Sequence, residues 1–130
     1  MRLYLDASPI IYWIEKVAVY YSQVDARIKR AGVTLISSHL ALMECLILPL
    51  RHGHTDLREE YDQFFAGNFI EIISFTEAMF RKAAEIRAAY NFRTPDALHL
   101  AAALEGTCDA FLTNDAGLSQ FSGIAIELVQ

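Results

Sequence analysis

Four acidic residues stand at positions where a carboxylate can do chemistry: Asp6, Glu44, Asp96 and Asp115. Asp6 directly follows a β-favouring run in Leu5-Asp6-Ala7-Ser8, and Asp115 follows another in Leu112-Thr113-Asn114-Asp115. In open parallel sheets, ligands bind beyond the carboxyl ends of the strands, where both acids fall. Glu44 is flanked by Leu40, Ala41, Leu42 and Met43 on one side and Cys45, Leu46, Ile47 and Leu48 on the other. Its first unlike charge in sequence is Arg51, seven residues on. A carboxylate in apolar surroundings is costly unless it is paired or holds a metal. Asp96 lies in the first turn of a helix opened by Thr94 and Pro95.

Three or four carboxylates without a dense His or Cys set suit the hard cations Mg²⁺ or Mn²⁺ rather than Zn²⁺. Such a site lowers the pKa of water and neutralises charge growing on a phosphoryl group, so phosphodiester hydrolysis is its natural reaction. Crowding of like charges predicts that at least one of the acids titrates high when no metal is bound. Each acid alone has a plainer role. Asp6 and Asp115 can cap helices, Asp96 suits a helix dipole, and Glu44 can face a partner. The four together carry the metal reading.

The elements that must position them alternate along the chain. Short β-favouring runs at 2–5, 33–37, 69–74, 110–113 and 124–129 are separated by longer helical stretches. That alternation predicts an α/β fold with a five-stranded, mainly parallel sheet. The strand runs are nearly continuous in apolar residues, as expected when helices cover both faces. Thr76 three residues before Met79 marks one helix start; Thr94, as a cap before Pro95, marks another, with Gly106 at that helix's end. Charges at Arg58, Glu59, Glu60 and Asp62 mark a solvated helix that follows a His52-Gly53-His54 loop. There are no repeats and no dividing linker, so residues 1–130 are expected to form one domain.

Hydrophobic residues make up 54% of the chain, above the roughly 45–50% of ordinary soluble proteins, which predicts that some apolar surface is covered by a partner. Formal charge is 11 − 16 = −5, the wrong sign for a typical nucleic-acid binder. Setting the four site acids aside leaves 12 carboxylates against 11 Lys and Arg, close to neutral, so an acidic total does not exclude RNA. Cys45 and Cys108 have no ligand spacing and read as thiols of a reducing compartment, the cytoplasm. The longest apolar run, 40–50, contains Glu44 and Pro49 and is far short of the roughly 20 residues of a membrane helix. The chain opens at once on the strand-like Arg2-Leu3-Tyr4-Leu5 rather than on a basic region and an apolar run, so a secretory leader is not expected.

Taken in order, the segments Leu5-Asp6-Ala7-Ser8, the Glu44 helix after Ile36-Ser37-Ser38, the run from Thr94 to Ala103, and Leu112-Thr113-Asn114-Asp115 resemble the PIN-domain nucleases. Within that family they are similar to the VapC-type toxins of toxin–antitoxin pairs. The resemblance spans essentially the whole chain. It implies a Rossmann-like α/β/α fold, Mg²⁺- or Mn²⁺-dependent endoribonuclease activity on RNA, homodimerisation, and inhibition by a cognate antitoxin protein. It casts Asp6, Glu44 and Asp96 as the core acids and Asp115 as the fourth, with Ser8, Ser38, Thr113 and Asn114 in supporting roles. One departure is the lack of a strong basic patch, since Arg27, Lys29 and Arg30 form only a modest cluster.

Other residues invite a functional role and fit a plainer one. His99 shares a helix face with Asp96, yet in Ala-Leu-His-Leu-Ala-Ala a hydrogen-bonded core histidine is the commoner case, and it is left outside the site. Tyr12, Trp13, Tyr20 and Tyr21 lack the interleaved cations of a base-stacking surface and read as packing. An aspartyl-phosphate phosphatase needs a second Asp where Ser8 stands, and a phospho-acceptor receiver needs a Lys that Gly123–Gln130 lacks. A catalytically inactive PIN-like scaffold that binds a partner protein is the remaining alternative to the nuclease.

Overall fold

A computed structural model describes residues 1–130. Five strands, β1 (Arg2–Leu5), β2 (Thr34–Ser38), β3 (Glu71–Ile73), β4 (Ala110–Thr113) and β5 (Ala125–Leu128), form one sheet in the order β3-β2-β1-β4-β5. Every neighbouring pair is parallel, so each strand must be reached by a crossover. The helices supply them: α1 (Ala7–Ile14), α2 (Tyr20–Ile28), α3 (His39–His52), α4 (Thr55–Ala66), α5 (Glu77–Tyr90) and α6 (Thr94–Glu105). A 3-10 turn at Ala116–Gln120 joins β4 to β5. The third strand is shorter than the apolar run around it, which leaves Phe69 exposed.

Strand side chains alternate between faces, and the core divides accordingly. Leu3, Leu5, Leu35 and Leu112 pack with Ile10, Val24, Cys45, Tyr61 and Phe65 on the side of α1 to α4. Tyr4, Ile36 and Phe111 pack with Met79, Ile86, Leu100 and Phe121 on the side of α5 and α6. The result is three layers, α/β/α, as the sequence predicts. No helix is long and apolar enough to cross a membrane.

The chain runs from β1 outward to β2 and β3, then returns to the other side of β1 for β4 and β5. Strand order therefore reverses between β1 and β4, and a crevice opens beyond their carboxyl ends. Asp6 leaves β1 at that point and Asp115 lies two residues beyond β4.

The expected helix starts are met in one case and shifted in the other. Thr76 accepts a hydrogen bond from the Met79 N–H at 3.3 Å. At α6 the capping position belongs to Arg93, one residue earlier than Thr94. Thr94 lies inside the helix and its hydroxyl accepts from Arg87 Nη1 at 3.1 Å. Pro95 needs no N–H in a first turn, so the shift costs no hydrogen bond. The expected His52-Gly53-His54 loop is tighter than read: α3 runs through His52 and stops at Gly53, which takes the left-handed conformation.

Candidate functional site

Asp6, Glu44, Asp96 and Asp115 line a single cleft of about 610 Å³ at the carboxyl ends of β1 and β4, together with Ser8, Arg93, His99 and Asn114. Acids separated by more than a hundred positions of chain thus meet, each delivered by a different element. Asp6 ends β1, Glu44 projects from α3, Asp96 from the first turn of α6, and Asp115 heads the 3-10 turn.

Asp6 is the most enclosed of the four, at 9% exposure. It occupies the position before α1 yet makes no side-chain capping bond to it. Its carboxylate instead accepts from Ser8 Oγ at 3.0 Å, and Ser8 Oγ in turn accepts the Asn114 N–H at 3.1 Å. Burial pushes its pKa up to about 6, against the hydrogen bonds from Thr113 and Ser8 that hold it down. The high-titrating acid expected from charge crowding is therefore present, but desolvation is the chief cause and the Glu44 charge a lesser one.

The other three acids each have an intramolecular partner. Arg93 Nε meets Asp96 Oδ2 at 3.2 Å, His99 Nε2 meets Glu44 Oε1 at 2.5 Å, and Asp115 Oδ1 accepts the Gly117 N–H at 2.9 Å. With these partners in place, no three His, Cys, Asp or Glu side chains stand close enough to close on one ion. The donor set nonetheless fits a hard divalent cation. It consists of carboxylate oxygens, one of them buried with no Lys or Arg in salt-bridge reach, and Asp96, Glu44 and Asp115 line the same cleft.

The supporting residues fall into two groups. Ser8, Thr113 and Asn114 adjoin the acids directly: the Thr113 hydroxyl bonds Asp6 and accepts the Asp115 N–H at 3.1 Å. Asn114 Nδ2 donates to the Tyr12 hydroxyl at 2.7 Å, and Tyr12 stacks on Tyr20 with centroids 4.5 Å apart. The aromatic pair read as packing does pack, and it also steadies the loop that carries Asp115. Ser38, by contrast, is fully buried and does not line the cleft. Its hydroxyl pairs with Tyr4 Oη at 2.8 Å, and Tyr4 Oη pairs with His99 Nδ1 at 2.8 Å.

Two cleft residues are not assigned to the site from the sequence, His99 because a core role outweighs a site role there and Arg93 because nothing points to it. His99 is a buried, hydrogen-bonded histidine as expected, at 2% exposure, yet it touches Glu44. Its spacing of three from Asp96 was the available signal. Arg93 is the only permanent cation lining the cleft, and nothing in its local sequence distinguishes it from a surface arginine.

A family model described as the PIN domain matches residues 3–124. No curated protein sequence was found to match the chain. Among solved structures, the chain is similar to VapBC2 from Rickettsia felis, solved bound to a promoter DNA fragment, with a TM-score of 0.79 at 18% identity and full coverage of both chains. It is similar to Mycobacterium tuberculosis VapC20, described as a sarcin-ricin loop cleaving toxin, with a TM-score of 0.77 at 12% identity, covering 95% of this chain and 98% of that one. DNA-bound VapBC from Salmonella typhimurium gives a TM-score of 0.68 at 18% identity, covering 100% and 99%. At these identities the likeness is one of fold.

Proposed function

The chain belongs to the PIN-domain family, and from that premise we propose that it is an endoribonuclease dependent on Mg²⁺ or Mn²⁺ and the toxin of a toxin–antitoxin pair. The observation that carries the proposal is the meeting of Asp6, Glu44, Asp96 and Asp115 in one cleft at the point where strand order reverses. Its toxin aspect is supported by the similar solved structures, which are described as VapBC or as a sarcin-ricin loop cleaving toxin.

In this reading the four carboxylates hold the cation. Bound there, it supplies Lewis acidity toward a phosphodiester and acidifies water. Asp6, held by Ser8 and Thr113, would be the most enclosed of the residues that hold it. Asp96 would be one of the residues holding the cation, and the 79%-exposed Arg93 beside it would offer a guanidinium to a phosphate oxygen of the RNA. RNA affinity then rests on the cation and Arg93 rather than on a basic surface. The modest cluster at Arg27, Lys29 and Arg30 is already paired with Glu127 and Asp25.

Incubation of the full chain with end-labelled RNA and Mn²⁺ tests the proposal. Cleavage that stops with EDTA and is absent from the Asp6→Asn variant is the expected result. RNA left intact at every Mn²⁺ and Mg²⁺ concentration would establish the inactive partner-binding scaffold instead.

A further inference from the structure

We propose that His99 is a positioning residue: its Nε2–H holds Glu44 Oε1 in place, so that the remaining oxygen of Glu44 is presented to a cation. This rests on the reading of Glu44 as a cation ligand. Glu44 lies on α3 between exposed Met43 and Ile47, and no Lys or Arg pairs with it. Its single polar partner is His99, at 2.5 Å. An ionised carboxylate can only accept hydrogen bonds, so the proton of this bond belongs to Nε2.

The opposite edge of the ring is held with equal care. His99 Nδ1 lies 2.8 Å from Tyr4 Oη, and Tyr4 Oη lies 2.8 Å from Ser38 Oγ. Tyr4, Ser38 and His99 are all sealed from solvent, so none can exchange these bonds for water. The Tyr4 ring is clamped by stacking on Phe111, with centroids 5.3 Å apart and planes 8° from parallel. A line of hydrogen bonds therefore runs from β2 through β1 and α6 to α3, and it ends on Glu44, whose carboxylate has no other side-chain partner. Partners that orient a ligand without touching the metal commonly tune its affinity. Ser38, cast in a supporting role by the family resemblance, acts in this line from its far end.

The test measures Mn²⁺ affinity of the full chain by EPR of the free ion, for the parent and for His99→Leu, His99→Gln, Tyr4→Phe and Glu44→Gln, with thermal melting to confirm folding. The expected result is a loss of about 10- to 100-fold in His99→Leu and Glu44→Gln. His99→Gln, whose amide nitrogen can still donate to Glu44, is expected to stay within about threefold of the parent. ¹⁵N NMR of the metal-free parent should show the His99 proton on Nε2. Equal affinity of parent and His99→Leu overturns this inference alone, whereas unchanged affinity in Glu44→Gln overturns the assignment of Glu44. A His99→Gln variant as weak as His99→Leu also overturns it, because the histidine would then be a ligand itself. If His99→Leu does not fold, Tyr4→Phe decides: it keeps the ring and removes the hydroxyl on Nδ1, and an affinity equal to the parent's rejects the line of bonds. A parent that binds no Mn²⁺ ends both readings.

Discussion

Asp6 meets two hydroxyls in the cleft and no Lys or Arg, and without a bound ion the burial of its charge opposes the fold. Its carboxyl is raised to about 6 in the folded chain while the unfolded chain titrates in the ordinary range. A raised folded-state value means that the native protein holds the proton more tightly than the unfolded one. The stability this provides is complete below about pH 4 and is lost as pH rises through about 6. Asp6→Asn is therefore expected to melt higher than the parent at pH 7 in EDTA, by up to about 3 kcal/mol, and to show no advantage at pH 4. Denaturation at the two pH values checks this, and a variant less stable at both would refute it. Adding Mn²⁺ should raise the parent and leave the variant behind. The place of this acid at the end of the first strand was legible from the apolar run before it. The cause of its high titration was not, because burial depends on what α1, α3 and β4 bring around it. Glu44 shows the same limit: its apolar neighbours in sequence marked it as unusual, but Met43, Ile47 and Leu48 among them are exposed, and its partner stands 55 residues away in sequence, on α6.

Among the elements, α6 carries the most, since Asp96 and His99 both project from its first turns and it crosses the sheet beneath them. Its far end is pinned at Gly106. A Cβ there would lie 2.9 Å from the Ala102 carbonyl oxygen and 3.0 Å from Ile73 Cδ1. The isoleucine can turn aside, but the carbonyl belongs to the helix itself, and the same Gly106 carbonyl accepts from Arg2 at 3.0 Å. Gly106→Ala should cost about 1–3 kcal/mol and, by shifting α6, weaken Mn²⁺ binding as well. Chemical denaturation with a parallel Mn²⁺ titration checks it; an unchanged midpoint would show that the helix end yields freely. The span of α6 and its glycine stop were legible from Pro95 and Gly106. The cap was misplaced because Thr94 and Arg93 both have a local role, and Arg87, which holds the Thr94 hydroxyl, arrives from α5. Strands showed the same pattern, with β1 and β4 read to the residue and edge strand β3 overestimated, since pairing on one side alone fixes its ends.

For the whole molecule, the apolar excess of the composition has a place on the surface. Helix α3 is apolar nearly all round, and such a helix is normally enclosed on every side. Here Ala41, Cys45 and Pro49 face the core, whereas Met43, Ile47, Leu48 and Leu50 remain 44–58% exposed. Sequence periodicity could not tell these faces apart, because both are hydrophobic and only the fold chooses between them. An exposed stripe of this kind calls for a partner, and the homodimer implied by the family resemblance is the economical one. Ile47 belongs both to the stripe and to the cleft wall, so a second copy seated there would also narrow the approach of RNA to the acids. Sedimentation equilibrium of the purified chain is expected to give a dimer. Leu48→Glu, which places a charge in the stripe without touching Asp6, Asp96 or Asp115, is expected to give monomers that melt like the parent's protomer and still bind Mn²⁺. A parent that sediments as a monomer would rule out the homodimer and leave the stripe to a different partner protein.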